Sequence, residues 1–182
     1  MCEKSWKVSL RKTLKRLQTR NECHRVAVVG IGHTLRGDDG AGVVVAEMLH
    51  PLMAGSDHVL VVNAGLAPEG FSGVIRRFCP DLVLLVDAAQ MDEAPGTVRW
   101  LAWQDAGGNG ASTHTLPLRL FATYLTLEVG CEVALLGIQP AHNDIDLPVS
   151  PVVQDAVESV AHTLAAVLAN MEKENSTLRV EI

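Results

Sequence analysis

A chain of 182 residues that is 48% hydrophobic can bury one full core, and its 4% aromatic share beside abundant Val, Leu, Ala and Gly suits buried strands under helices. The net charge of −6 argues against a nucleic-acid partner, no apolar run approaches the ~20 residues of a membrane span, and the amino terminus lacks a signal-peptide core. The four cysteines (Cys2, Cys23, Cys79 and Cys131) form no C-x-x-C pair and read as reduced thiols of a cytoplasmic protein.

Residues 1–24 read as a basic amphipathic extension. Lys4, Lys7, Arg11, Lys12, Lys15, Arg16, Arg20 and Arg25 face only Glu3 and Glu22, so residues 1–25 carry +6 and the remainder −12. Trp6, Leu10, Leu14 and Leu17 recur at near-helical spacing, which predicts a helix packed on its own domain, with docking on an acidic partner as the alternative.

Residues 25–172 are expected to form a single domain. Arg25–Gly32 is a continuous apolar run of the buried parallel type. It enters the glycine-rich turn around Gly37, Asp38, Asp39 and Gly40, and Ala41–His50 then predicts a helix closed by Pro51. His58–Asn63 is a second strand and Pro68–Phe78 a short helix, its proline suited to a first turn. Asp81–Asp87 is the clearest strand. Thr97–Trp103 alternates like an outer strand, and the glycine-rich stretch Asp105–Ser112 reads as a mobile loop. Leu116–Val129 predicts a helix, Cys131–Ile138 a buried strand, and Pro140–Pro151 a long polar connection. The last helix is expected over Pro151–Glu172, with Val152, Val153, Ala156, Val160, Leu164 and Val167 on its apolar side, followed by a loose tail over residues 173–182. Alternating strands and helices predict a three-layer α/β/α domain around a twisted, mostly parallel sheet of about five strands with an antiparallel edge.

Ligands of open α/β sheets gather beyond the carboxyl ends of the strands. Asp38 and Asp39 follow the first strand, Asp87 ends the Leu82–Asp87 run, and His114 precedes the helix at Leu116. Two carboxylates and an imidazole make an open three-ligand set suited to metal-assisted hydrolysis, with nitrogen tilting the choice toward nickel or zinc over magnesium. One member of the Asp38/Asp39 pair is expected to cap the helix or brace the loop. His33 is an auxiliary candidate. His24, His58 and His162 show no grouping with acids, and nothing fixes His142. Several chemistries drop out. Gly30 and Gly32 do not open a dinucleotide fingerprint, because Leu35 stands where a third glycine is needed. No Gly-x-Ser-x-Gly elbow or P-loop is present, and Cys131 opens a buried strand.

Five segments in order resemble the nickel–iron hydrogenase maturation endopeptidases: Gly30-Ile31-Gly32 with Gly37-Asp38-Asp39-Gly40-Ala41-Gly42, Ala64-Gly65-Leu66-Ala67-Pro68-Glu69, Leu84-Leu85-Val86-Asp87-Ala88, Thr113-His114-Thr115-Leu116-Pro117-Leu118, and Leu136-Gly137-Ile138-Gln139-Pro140. They cover about residues 25–170, and the last, with Asp rather than Glu at position 39, is most similar to the HycI type. The resemblance implies removal of a carboxyl-terminal extension from the hydrogenase large-subunit precursor after nickel insertion. It places the catalytic, metal-gripping trio on Asp39, Asp87 and His114, with the precursor's own nickel as the metal and another divalent ion such as zinc as the alternative. His33 departs from the family, which has Asn there, and the basic extension lies outside the family core. Two other functions fit the same residues: a nickel-sensing docking chaperone that does not cut, and a magnesium-dependent phosphohydrolase. Oligomeric state has no signal in the sequence.

Overall fold

A computed structural model of the chain describes residues 5–20, 24–104 and 115–180, with side chains over 5–20, 24–104 and 118–174. Five strands, β1 (Val26–Ile31), β2 (Val59–Gly65), β3 (Leu82–Ala88), β4 (Val98–Leu101) and β5 (Glu132–Ile138), form one sheet in the order β2-β1-β3-β5-β4. The first four in that order are parallel and β4 runs antiparallel to β5, as the alternating pattern predicts. Val28 lies between Val61 of β2 and Leu84 of β3. All six residues of β1 are buried, because a parallel strand flanked by neighbours is also covered by helices above and below.

Strand alternation divides the core. Val26, Val28, Leu82, Leu84, Val86, Ala134 and Leu136 face α1 (Trp6–Gln18), α2 (Ala41–Leu52) and α5 (Pro151–Val180). Ala27, Val29, Val83, Leu85 and Leu135 face α3 (Ser72–Phe78) and α4 (Thr115–Tyr124) through Ile75, Leu118, Phe121 and Ala122. The amino-terminal helix packs on its own domain: Trp6, Leu10, Leu14 and Leu17 are buried in the first of these layers. Each such side chain contributes about 1.5–3 kcal/mol by leaving water. The cationic side of α1 is tied down as well, since Arg16 Nη2 donates to Glu132 Oε2 at 2.6 Å and Arg16 Nη1 pairs with Glu132 Oε1.

Several boundaries differ from expectation. Pro51 does not close α2, which keeps Pro51 and Leu52 in its last turn. The Pro68–Phe78 helix divides into a tight turn, Pro68–Phe71, and α3. The antiparallel strand is shorter than Thr97–Trp103. The helix expected over Leu116–Val129 begins at Thr115 and widens after Tyr124 into a π-turn over Leu125–Val129.

The carboxyl-terminal helix differs most. It runs to Val180, past Glu172 and through most of the stretch expected to be a loose tail, because no Gly or Pro stands between Val152 and Val180 to stop it. Its buried face is Val153, Val157, Val160, Ala161, Leu164, Leu168 and Met171. Val152 is instead exposed, because the true stripe follows i, i+4 and i+7 from Val153. Residues Pro151–Glu174 are also long and apolar enough by composition to cross a membrane, contrary to the sequence expectation, although here their apolar stripe packs on the sheet. His24 corrects another expectation. It is buried, burial lowers its pKa, and it lies within electrostatic reach of Asp81, His58 and Glu174. The glycine-rich stretch Asp105–Ser112, Cys2 and Cys23 lie outside the described residues.

Candidate active site

The strand order reverses direction at β1: β2 lies to one side and β3 to the other. The crevice beyond the carboxyl ends of β1 and β3 is therefore the place where an open α/β sheet receives a ligand. β1 enters it through the loop 32–36 and a tight turn, Gly37–Gly40, that leads into α2. β3 enters it through Asp87 and Ala88. Close packing of backbone fixes their separation. A Cβ on Gly42 would lie 2.1 Å from Val86 O and 2.4 Å from Ile31 O, so only glycine lets the first turn of α2 approach both strands. Gly32 (φ +139°) is equally constrained, its Cβ position being 1.9 Å from Asp39 O.

The two adjacent aspartates have different partners. Asp38 is fully buried and accepts four hydrogen bonds from the connection after β5: from the N–H of Ala141 at 2.7 Å, of His142 at 3.2 Å and of Ser150 at 2.6 Å, and from Ser150 Oγ at 2.9 Å. Burial pushes its pKa up, but the three N–H groups and the hydroxyl outweigh that and hold the carboxyl below the ordinary aspartate value. Asp38 is thus the loop brace; no side-chain cap to the helix forms. Asp39 is 7% exposed and accepts one bond, from the His33 N–H to Oδ2 at 3.1 Å. No other donor among the described residues reaches its carboxylate.

Asp87 is 2% exposed, and its Oδ1 has no hydrogen-bond partner among the described residues. Burial, reinforced by the Asp39 charge, pushes its carboxyl up to about 8 despite the Ala88 N–H. Two neighbouring carboxyl groups, Asp87 raised in pKa by burial and by the Asp39 charge and carrying an orphaned buried oxygen, form a site that a cation or a proton satisfies. This donor chemistry fits a divalent metal. Along β3, alternation places Asp87 with Val83 and Leu85, on the side of the sheet that α4 covers. His114, the expected third ligand, lies outside the described residues, and among the described residues no three His, Cys, Asp or Glu side chains assemble as a metal site.

The other candidates take structural parts. His33 Nδ1 accepts the Leu35 N–H at 3.2 Å, while its own backbone N–H holds Asp39. His142, which sequence could not place, is fixed by backbone bonds to Asp38 in both directions, with its ring against Gly37. Cys131 is buried, and that burial pushes its thiol up to about 11, which removes it as a nucleophile. Gln139, read in the sequence only as part of a resembling segment, braces the loops around the site. It is 3% exposed, accepts the Met91 N–H at 2.7 Å and donates to Gln90 Oε1 at 3.0 Å, joining the segments that leave β3 and β5. Its signal was a lone amide at the end of an apolar strand.

The chain is similar in sequence and fold to known proteins. The family profile of the HycI hydrogenase maturation proteases matches residues 43–167, a span that begins just after Asp39. The chain is 36% identical over 135 residues to the hydrogenase 3 maturation protease of Escherichia coli, covering 74% of this chain and 85% of that protein. Its fold is similar to the crystal structure of the NiFe hydrogenase maturation protease HycI from Thermococcus kodakarensis, with a TM-score of 0.74 and 36% identity over 80% of this chain and 93% of that one. It is also similar to the solution structure of the endopeptidase HycI from Escherichia coli, with a TM-score of 0.68 and 33% identity over 78% of this chain and 90% of that one.

Proposed function

The chain belongs to the HycI family of hydrogenase maturation proteases, and from that membership we propose that it is the endopeptidase that removes the carboxyl-terminal extension of a nickel-loaded NiFe hydrogenase large-subunit precursor. The observation that carries this reading is the pair of buried carboxylates at the strand-order reversal, Asp39 and Asp87, with Asp87 Oδ1 lacking a partner among the described residues. We assign the metal-gripping and catalytic role to Asp39, Asp87 and His114. The metal they grip is the nickel carried by the precursor, which makes it part of the substrate; zinc or another divalent ion is the alternative.

Each residue of the chain then has a stated task. The His33 N–H holds the Asp39 carboxylate, and the Asp38 brace keeps the turn that carries Asp39 from shifting. Asp87, buried and raised in pKa, holds a proton until a cation displaces it. A divalent cation held by these carboxylates would lower the pKa of bound water and polarise a carbonyl. Recognition through the metal makes cutting conditional on nickel insertion and needs no deep side-chain pocket. The reaction belongs in the cytoplasm, where the reduced state expected of the four thiols is maintained.

The test is a mass measurement. Purified protein incubated with nickel-loaded precursor should shorten it, and nickel-free precursor should stay whole. Asp39→Asn and His114→Ala should each leave the loaded precursor whole while keeping the wild-type circular dichroism spectrum. Binding of the loaded precursor without any loss of mass would replace the protease with a docking protein.

A further inference from the structure

Beside the two carboxylates lies a surface that the chemistry of cutting does not use. Leu35, Ile145 and Leu147 are 61%, 68% and 44% exposed, on two loops that backbone hydrogen bonds join. The Asp146 N–H donates to Leu35 O at 2.9 Å and the Gly37 N–H to Leu147 O at 3.1 Å. The Asp38 carboxylate clamps the same two loops from beneath through Ala141, His142 and Ser150. These aliphatic side chains are thus held at the surface by an ordered scaffold, so covering them costs little backbone entropy. Exposed aliphatics grouped in this way mark an interaction surface.

The charge around them says what kind of chain covers them. Asp144 and Asp146 are exposed and flank Ile145, while Leu35 lies four residues ahead of Asp39 on the same loop and turn. Arg36 is the one cation of that turn. A peptide meeting this surface gains by bringing aliphatic side chains for Leu35, Ile145 and Leu147 and cationic ones for Asp144 and Asp146.

We infer that the loop pair 35–37 and 144–147 is the docking surface for the precursor's carboxyl-terminal segment, and that the docked stretch combines aliphatic and cationic residues. This inference rests on the proteolytic reading above. It divides the work of the site: the carboxylates contact the metal and the scissile bond, while the apolar and acidic rim holds the peptide beside them.

Cleavage kinetics on nickel-loaded precursor test it. Replacing Leu35, Ile145 and Leu147 together by Ser should raise KM about tenfold or more, as expected when buried aliphatic contacts are lost, with kcat within about twofold. Wild-type KM should rise with salt, and Asp144→Asn with Asp146→Asn should raise KM at low ionic strength and abolish that rise. Asn tolerates the left-handed backbone of Asp146 (φ 62°), and all five replaced side chains are exposed, so melting temperatures should be unchanged. Folded variants with wild-type KM, acting alongside a wild-type protein that cuts, would overturn the docking surface and leave the protease reading intact. A wild-type dimer split by the Ser substitutions with KM unmoved would assign the patch to a second copy of the chain and overturn it likewise. Wild-type protein that leaves loaded precursor whole would instead overturn the protease reading itself.

Discussion

Ser150 holds Asp38 twice: its backbone N–H reaches Oδ1 at 2.6 Å and its hydroxyl reaches Oδ2 at 2.9 Å. The two residues are separated by 112 positions, and their meeting fixes the turn that carries Asp39 to the connection that carries Ile145 and Leu147.

Asp38→Asn should therefore cost about 2–4 kcal/mol, because an amide nitrogen cannot accept from the N–H groups that converge there and at least one of them is left buried and unsatisfied. The folded carboxyl has a pKa below its unfolded value, so its contribution is complete above the ordinary aspartate range and is lost as pH falls through the folded pKa. Urea denaturation at neutral pH should show the full gap between wild type and variant. Melting curves in acid should show that gap closing.

Asp87 has the opposite sign. Its folded pKa, about 8, lies above the ordinary value of 3.8, so its contribution to stability is full at low pH and is withdrawn as pH rises toward and through 8. In the presence of a chelator, Asp87→Asn should match wild type near pH 4 and exceed it by a few kcal/mol near pH 9, where wild type buries an ionised carboxylate. Added nickel or zinc at the higher pH should raise the melting temperature of wild type and leave the variant unmoved.

Helix α1 separates two kinds of contact. Leu10 is fully buried, so Leu10→Ala should cost about 2–5 kcal/mol by lost transfer energy and a residual cavity. Arg16→Ala breaks an ion pair whose side chains are 47% and 31% exposed and should cost under about 1 kcal/mol. Paired denaturation curves would decide the order, and equal losses would contradict the packing described for α1.

Gly42→Ala pushes a methyl group onto Val86 O and Ile31 O and should destabilise by about 3 kcal/mol while slowing cutting, because Asp87 follows Val86. Gly73→Ala is the control. A Cβ there meets only Arg77 Nη1 at 3.6 Å, and the substitution should be neutral or stabilise by up to about 1 kcal/mol. Thermal melts and cleavage rates of the two variants should diverge in both respects.

The strands were legible because parallel pairing leaves continuous apolar runs such as Val26–Ile31 and Leu82–Val86, and the position of Asp87 followed from where such a run stops. Asp39 and Asp87 were legible as crevice residues for the same reason. The different fates of Asp38 and Asp39 could not be settled from their turn, since the partners of Asp38 come from Ala141, His142 and Ser150. The bracing part of Gln139 was not legible for a related reason: its bonds reach Gln90 and Met91 across a chain crossing. The face of α5 was legible from Val153 onward and missed only at Val152, because Val152 and Val153 are equally apolar and only the sheet beneath chooses between them.

The burial of α1 against α5 also bears on how the chain is made. Leu10 and Leu14 are synthesised before any strand, yet their cluster is completed by Leu164, Leu168 and Met171 near the other end. A growing chain on the ribosome carries a cationic helix with its greasy side uncovered until the final helix emerges. A segment translated ahead of every strand of the sheet is thus completed by one translated after them all. Products that stop short of α5 keep that apolar side uncovered by Leu164, Leu168 and Met171.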